Sequence, residues 1–140
     1  MKWLFAALGL GLGLVVAAGA YAMWRMYQNR DAKFWVEFIT PQGLRISLGQ
    51  TVFIQSRLMY KPKFKTMSQA VPIPGTFNFS QPSPKVALSD ATVVTDIASP
   101  IAQTMARGIN PGTGNIHVQA IAEDGTTPPW VALEITVTAQ

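Results

Sequence analysis

The chain has 140 residues, a formal net charge of +4, a single histidine and no cysteine. These counts exclude disulfides and thiolate metal sites, and they leave almost no basis for a histidine-based metal centre. Eleven glycines and ten prolines, with many Val, Ile and Thr, indicate an all-β domain with many turns. We therefore expect one modest domain, with neither a cofactor nor a metal ion.

An uninterrupted apolar segment covers residues 3–24 and contains no charge, Asn, Gln or Pro. As a helix it would span roughly 33 Å, against a hydrocarbon core of about 30 Å. Aromatic side chains stand where the two membrane interfaces are expected, at Trp3, Tyr21, Trp24 and Tyr27. The pattern predicts an N-terminal transmembrane helix, with residues 1–33 forming the helix and a juxtamembrane linker, and it makes a lipid bilayer the expected partner.

A cleaved signal peptide is the competing interpretation of the same segment. Lys2 supplies a short positive start, and Ala20-Tyr21-Ala22 is a small-x-small cleavage pattern. However, the apolar run exceeds the core of a signal, which is about 7–15 residues, and Met23-Trp24-Arg25 is a poor polar exit. We therefore expect an uncleaved anchor.

Small side chains recur every four residues in the apolar segment, at Gly9, Gly13 and Ala17. They would line one face of the helix and permit close packing against another helix, including a second copy of the chain. The alternative is that Gly and Ala are simply common in membrane helices and need no partner.

Alternating apolar and polar residues begin after the polar exit at Tyr27 to Lys33. Turn residues such as Pro41-Gln-Gly43 separate short stretches of this period. The predicted strands before residue 100 are Phe34–Ile39, Leu44–Leu48, Thr51–Leu58, Thr76–Ser80, Val86–Leu88 and Thr92–Ile97. For Pro100 to Met105 the sequence leaves a loop and a single helical turn as equal interpretations.

Basic residues are concentrated in the middle of the chain, since residues 38–89 contain six bases and no acid. Four of them are close in sequence: Arg57, Lys61, Lys63 and Lys65. Alternate lysines would point to one side of an extended strand, where they could contact anionic lipid headgroups or an acidic protein partner. The alternative is a solvated edge strand that Lys and Pro protect from aggregation. Nucleic acid is disfavoured, because no recognised binding module is present.

The C-terminal quarter carries the clearest strand pattern. Residues 115–122 alternate between apolar and polar, which directs His117 away from the core, and Glu123–Thr126 then forms a turn. Residues 131–138 repeat the alternation, so the two segments predict an antiparallel hairpin. About seven short strands with turns between them indicate a β-sandwich over residues 34–140.

Three stretches carry a family resemblance: Gly49-Gln-Thr-Val52, Phe77-Asn-Phe-Ser-Gln-Pro-Ser-Pro-Lys-Val-Ala87, and Gly108-Ile-Asn-Pro-Gly-Thr-Gly-Asn-Ile-His-Val-Gln-Ala120 followed by Asp124-Gly125. Together with Leu133–Val137 as a closing strand, they resemble bacterial Ig-like domains of the invasin and intimin kind. The resemblance covers roughly residues 38–138. It implies an Ig-like β-sandwich that serves as a spacer, adhesion module or structural tile. Two departures are Phe77 or Phe79 where the family has Trp, and Pro128-Pro129 in the last hairpin.

The resemblance brings no active site, and the sequence contains no nucleophile paired with a base and no paired carboxylates in a recognisable motif. We therefore expect a non-enzymatic structural or interaction protein, anchored in a virion membrane or a bacterial envelope and bound to other structural proteins of an assembly. The alternatives are a secreted or surface-tethered adhesion or ligand-binding module and a filament subunit with a helical core.

The side of the membrane on which the domain lies stays open. Lys2 precedes the apolar segment, whereas Arg25, Arg30 and Lys33 follow it, and the positive-inside rule then keeps the domain inside. The family resemblance favours the outside for a protein of a bacterial cell. A virion membrane removes the conflict, because the domain need not cross the bilayer.

Overall fold

The computed structural model describes residues 19–24, 27 and 30–139, and within them the chain forms ten β-strands and a 3-10 helix over Met67–Gln69. Residues 19–24 and 27 are helical. The strands are β1 (Lys33–Phe38), β2 (Leu44–Ser47), β3 (Thr51–Lys61), β4 (Val71–Ile73), β5 (Gly75–Ser80), β6 (Val86–Leu88), β7 (Thr92–Val94), β8 (Ile101–Gly108), β9 (Gly112–Ala122) and β10 (Val131–Thr138).

The strands form two sheets. The first has the order β1-β3-β8-β6, with β4 also paired to β3, and the second has the order β2-β10-β9-β5-β7. The first segment of the chain closes an edge of each sheet: β1 runs antiparallel to β3, and after the turn at residues 41–43 β2 runs parallel to β10. The pairing of β2 with β10 thereby joins the N-terminal and C-terminal segments of the domain.

This order is that of an Ig-like sandwich. β1, β3 and β8 take the places of strands A, B and E, while β5, β9 and β10 take those of C, F and G. β6 lies at the D position and β7 at the C′ position, so in this chain the D-position strand comes before the C′-position strand. The expectation of an all-β Ig-like sandwich is confirmed, with ten strands in the described residues instead of about seven.

The core lies between the sheets and is built by alternation of buried and more exposed residues along the central strands, with Met59 next to Leu58 as an exception on β3. Phe77 and Phe79, at the place where the resemblance expects Trp, are 0% and 4% exposed. Fully burying a large apolar side chain contributes about 1.5–3 kcal/mol, so a chain without disulfides depends on this layer. The core also contains Val36, Ile46, Ile54, Leu58, Val86, Ala102, Ala106, Ile116, Val118, Ala120, Ala122, Leu133, Ile135 and Val137.

The sequence interpretation of residues 100–105 as a loop or a helical turn is wrong, because this segment begins β8, which pairs with β3 and β6. Its residues alternate regularly between exposed and buried, but the buried ones are the small Ala102, Thr104 and Ala106. Because Ala and Thr are only weakly hydrophobic, the alternation of buried and exposed residues in β8 is hard to recognise from the sequence. Thr104 is the polar residue among them, and the Asp90 backbone satisfies its hydroxyl: the Asp90 N–H donates to this hydroxyl, and the Asp90 carbonyl accepts from it.

The C-terminal hairpin was predicted correctly. β9 and β10 pair antiparallel, and Pro128 and Pro129 lie in the connection between them. His117 lies on the outer face of β9, as its place in the alternation indicated. The predicted strand Thr92–Ile97 is shorter, since β7 ends at Val94.

The predicted membrane helix falls largely on residues that the structure does not describe. Trp3, Gly9, Gly13 and Ala17 all lie outside the described residues. In the part of the chain that is described, no helix combines the length and the apolar character needed to cross a membrane.

Gly75 marks the place where the chain passes from the first sheet to the second. Its N–H donates to the Thr95 hydroxyl at 3.0 Å, and that hydroxyl donates back to the Gly75 carbonyl at 3.2 Å. A Cβ atom at this position would lie 2.6 Å from the Ile121 carbonyl oxygen and 3.0 Å from Leu58 Cδ2. The β9 backbone would have to move to admit any side chain.

We predict that Gly75→Ala lowers the free energy of unfolding by about 1–3 kcal/mol, because it overpacks a contact with backbone. Gly43→Asn is the matched control: its φ of 73° suits Asn, and nothing lies within 4 Å of an added Cβ. Urea titration of the detergent-solubilised chain, followed by tryptophan fluorescence, measures both variants. Equal stability of Gly75→Ala and the parent chain would contradict the contact.

Candidate interaction surfaces

Three aromatic residues that were expected at the membrane interface lie in the described helical residues. Tyr21, Trp24 and Tyr27 are all more than half exposed, and the rings of Tyr21 and Trp24 lie 6.0 Å apart. The Arg30 guanidinium lies 4.1 Å from the centre of the Tyr27 ring, and Arg30 also pairs with Asp31 at 3.6 Å. An exposed aromatic set beside a cation therefore precedes β1.

The four basic residues singled out from the sequence do not form one face. Arg57 lies on the outer side of the first sheet, where its Nε donates to Glu37 Oε1 on β1 at 2.6 Å. This cross-strand pair neutralises Arg57 locally. Only part of the predicted basic surface is therefore available to an outside partner.

Lys61 corrects the prediction most clearly. It is the last residue of β3 and is 1% exposed, so it does not point outward with Lys63 and Lys65. Its Nζ donates to the carbonyl oxygens of Lys65 at 2.9 Å and Pro62 at 3.2 Å. A buried ammonium needs such acceptors, and here they come from the loop that it closes. Lys61 is thus a structural residue of this loop.

We call residues 62–66 the basic loop. The strand does not continue through it: Lys63 and Phe64 form a turn, and Phe64 has a φ of 61°, in the left-handed region. A bulky residue in that region is uncommon and costs free energy. The loop presents Phe64, which is 60% exposed, between the exposed residues Lys63 and Lys65.

The basic loop lies at the end of the sandwich where β1 begins, which we call the N-proximal end. The register of the β1–β3 pair sets this position, because Lys33 lies opposite Lys61. Lys33 is exposed, so it adds a third outward lysine beside the loop. The helical residues that precede β1 therefore reach the sandwich at the same end as the basic loop.

A shallow apolar cleft opens at the N-proximal end between the two sheets. Phe34 and Tyr60, whose rings lie 4.8 Å apart, form its wall on the first sheet. Glu123 and Asp124 form part of its wall on the second sheet, and Ile97, which is 88% exposed, stands at its margin. Ile73, Pro74 and Ala122 complete the lining.

Charge divides the N-proximal end into two halves. Lys33, Lys63 and Lys65 belong to the first sheet and its loop, whereas Glu123 and Asp124 belong to the turn after β9. The Thr126 N–H, which donates to the Asp124 carboxylate at 2.9 Å, holds the pKa of Asp124 below its usual value, and the Thr126 hydroxyl adds to the effect. This turn therefore stays anionic at neutral pH, opposite the basic half.

The outer face of the first sheet carries an exposed apolar patch. Phe53 on β3 lies directly opposite Met105 on β8, and Ile101 lies on the same face of β8 four residues before Met105, beyond the hydrogen-bonded Gln55–Gln103 pair. Their exposed fractions are 59%, 43% and 42%, respectively. Large side chains grouped on one face are typical of a surface that contacts another protein.

The outer face of the second sheet carries an aromatic stack. Trp130 lies over His117 with the ring centres 4.2 Å apart and the planes at 18°, and Trp130 is 56% exposed. Ser80 and Gln119 line the shallow depression beside the stack. An exposed indole next to neutral polar side chains is a suitable platform for a ligand with both apolar and hydroxylated faces.

A metal site has no candidate ligand group in residues 19–24, 27 and 30–139. They contain no group of three or more His, Asp or Glu side chains that could hold a metal ion. In the same residues, every buried side-chain nitrogen or oxygen has a hydrogen-bond partner.

Comparison with known proteins identifies the fold alone. Neither a protein-family model nor a curated protein matches the chain. Among solved structures it is similar to domains 4 and 5 of the S-layer protein SbsC, with 14% identity and a TM-score of 0.53 over 78% of this chain and 54% of that one. This chain thus spans about half the length of that structure.

Two further solved structures match over most of their own length. A conjugative transposon lipoprotein from Bacteroides eggerthii has 15% identity and a TM-score of 0.51 over 73% of this chain and 95% of that one. WR4, an MSP family member from C. elegans, has 8% identity and a TM-score of 0.50 over 74% of this chain and 97% of that one. Similarity at this level, together with the strand order, assigns the chain an Ig-like β-sandwich fold.

Proposed function

We propose that this chain is a non-enzymatic, single-pass membrane protein whose Ig-like sandwich makes structural contacts within a larger assembly. One observation carries the proposal. The apolar run over residues 3–24 ends in helical residues with exposed Tyr21, Trp24 and Tyr27, and β1 begins only six residues after Tyr27. A short linker of this kind suits a domain that is held close to a bilayer.

The short linker between Tyr27 and β1 limits the distance between the sandwich and the proposed membrane surface. Six residues reach at most about 20 Å when fully extended. The Arg30 N–H donates to the Tyr27 carbonyl at 3.3 Å, which shortens this path further. With Tyr27 at the membrane interface, the N-proximal end of the sandwich therefore stands next to the headgroups.

The proposed partners in the assembly are other structural proteins. The apolar pair of Phe53 and Met105 is available for such a contact, because it lies on the outer face of the first sheet, away from the core. A bacterial envelope complex and a membrane-containing virion are the two settings that we propose. The occurrence of similar folds in an S-layer protein and in a lipoprotein supports a role at a surface.

Self-association through the membrane helix is a further part of the proposal. Gly9, Gly13 and Ala17 would let two helices approach closely on one face. If several copies bundled in this way, the chain would form the helical core of a filament, which is the second structural option. Neither option changes the role of the sandwich as a contact module.

An adhesion or ligand-binding module is the alternative function, and the Trp130–His117 stack favours it. The stack lies on the second sheet, away from the basic loop, and it presents one open indole face with polar neighbours. Saccharides bind to such platforms through their apolar ring faces and their hydroxyls. The two functions therefore use different sheets of the same sandwich.

For the anchor, we predict that Leu12→Arg releases the full chain from membranes on alkaline carbonate extraction. An arginine at the centre of a spanning helix costs about 2.5–3.5 kcal/mol of insertion free energy. Leu48→Arg is the matched control, because Leu48 is 45% exposed on the sandwich. The intact mass of the extracted protein must correspond to a retained N-terminal segment. A mature chain that starts at Met23 would contradict the anchor.

For helix packing, we predict that the double substitution Gly9→Leu and Gly13→Leu reduces the oligomer size of the chain in mild detergent. Leucine side chains would keep the helix backbones apart. Gly19→Leu is the control, since position 19 lies off this face. Sedimentation of the three proteins measures the effect, and an unchanged oligomer in the double variant would remove the packing hypothesis.

For the alternative function, we predict that Trp130→Ala abolishes any saccharide binding that the parent chain shows on an array of bacterial and host polysaccharides. Phe53→Ala, which removes an exposed aromatic residue from the other sheet, is the control and should bind as the parent does. If neither the parent nor the control binds any polysaccharide, the adhesion alternative is wrong for this ligand class.

A further inference from the structure

We propose that the basic loop docks on the surface of an anionic lipid bilayer, with Phe64 inserted at the headgroup level between Lys63 and Lys65. This inference rests on the anchor in the proposed function and deepens it, because it assigns the partner and the orientation of the sandwich. The sequence alone indicated a flat strand of lysines that could meet lipid or an acidic protein. The loop has a different geometry, and that geometry favours lipid.

The shape of the basic loop holds Phe64 out in solvent. Phe64 is held in a left-handed conformation at the tip, 60% exposed, and it is not folded back onto the sandwich. The buried Lys61 ammonium fixes the loop from inside by its bonds to the Pro62 and Lys65 carbonyls. Backbone strain that places a large apolar side chain in water calls for a partner that covers it.

The tip of the basic loop combines one apolar ring, Phe64, with two cations, Lys63 and Lys65. A single exposed phenylalanine with a cation on each side matches the boundary between acyl chains and anionic headgroups, where an apolar ring enters and ammonium groups stay at the phosphates. Each lysine near an anionic leaflet contributes about 1 kcal/mol. Lys33, exposed on β1 opposite Lys61, adds a further cation on the same side. An acidic protein surface without an apolar pocket would pair with the lysines but would leave the ring in water.

The basic loop lies next to the point where the proposed anchor joins the sandwich. It begins directly after Lys61, and Lys61 pairs with Lys33, the first residue of β1. A bilayer that holds Tyr27 at its surface is therefore within reach of the loop, and the short linker between Tyr27 and Lys33 prevents the sandwich from moving far away. No additional partner has to be recruited, because the surface is already present.

The acidic half of the N-proximal end sets the orientation. Glu123, Asp124 and Asp96 lie on the second sheet or in the connection after β7, and they would be repelled by anionic headgroups. Asp31 is paired with Arg30. The sandwich is therefore tilted, with the first sheet and its loop towards the lipid and the turn after β9 away from it.

Because the chain has no cysteine, single thiols report on chosen positions without interference. The test uses the full chain reconstituted into vesicles, either of phosphatidylcholine alone or with phosphatidylglycerol added. The environment-sensitive dye NBD is attached to Phe64→Cys, and in a second protein to Ser83→Cys. Ser83 is exposed in the loop before β6, at the far end of the sandwich. Brominated lipids report direct contact of the dye with the bilayer.

The expected result is a shift of the emission at position 64 to shorter wavelength, with quenching by brominated lipid, in the anionic vesicles. Position 83 should show neither effect. Neutralising Lys63 and Lys65 together by Gln should lower the ratio of docked to free loop roughly 30-fold, as the loss of two lysine contributions implies. Replacing the exposed Arg45 and Arg107 by Gln removes the same charge elsewhere and should leave the ratio unchanged.

Two outcomes separate the inference from the proposed function. If the chain floats with the vesicles and position 64 keeps the emission of a dye in water in both lipids, the anchor stands and lipid docking is wrong. If the chain does not float with vesicles at all, the anchor itself fails, and the docking inference fails with it.

Discussion

The pairing of β1 with β3 is the constraint on which the rest of the arrangement depends. Its antiparallel register places Lys33 opposite Lys61, so the first residue of β1 and the last residue of β3 meet at one end. β3 also pairs with β4 and β8, which makes it the strand that organises the first sheet. A shift of β1 by one residue would turn Val36 out of the core and expose it to solvent.

The same register places the features that the proposed membrane contact requires at one end of the sandwich. The basic loop, the apolar cleft and the chain that leads from the helical residues all lie at the N-proximal end, because the two strands begin and finish there. The far end carries the loops around Ser83 and Asn110, and Arg45 and Arg107 are exposed near it. What distinguishes the N-proximal end is therefore not charge alone but the exposed Phe64 between two lysines and the arrival of the chain from the helical residues. The proposed tilt follows from the position of Glu123 and Asp124 on the other sheet.

Much of the fold was predictable from the sequence. The size and hydrophobicity of the buried side chains explain both the strands that were predicted and those that were missed. Strands whose buried positions hold Val, Ile or Leu, such as β9 and β10, show a period of two that needs no tertiary information. β8 buries alanines and a threonine, so its period is almost invisible, and only its pairing with β3 and β6 makes it a strand. Short edge strands such as β4 depend on neighbours in the same way.

The candidate site was less predictable. Alternate lysines at 61, 63 and 65 indicate one face only if the chain stays extended, and Pro62 comes just where the strand ends. The burial of Lys61 depends on carbonyl groups that the folded loop supplies, and the left-handed Phe64 leaves no mark in the sequence. The stack of Trp130 on His117 joins residues on different segments, so the alternation placed His117 on the outer face but did not indicate that Trp130 covers it.

Neutron reflectometry on the full chain in a supported bilayer that contains anionic lipid tests the central claim most directly. With β3 of 11 residues at about 3.3 Å each, the sandwich should form a layer roughly 35–40 Å thick. The account predicts that this layer begins at the headgroups of one leaflet, without intervening water, while protein also contributes to the hydrocarbon region. A hydrated gap between the headgroups and the sandwich, or a hydrocarbon region free of protein, would contradict it.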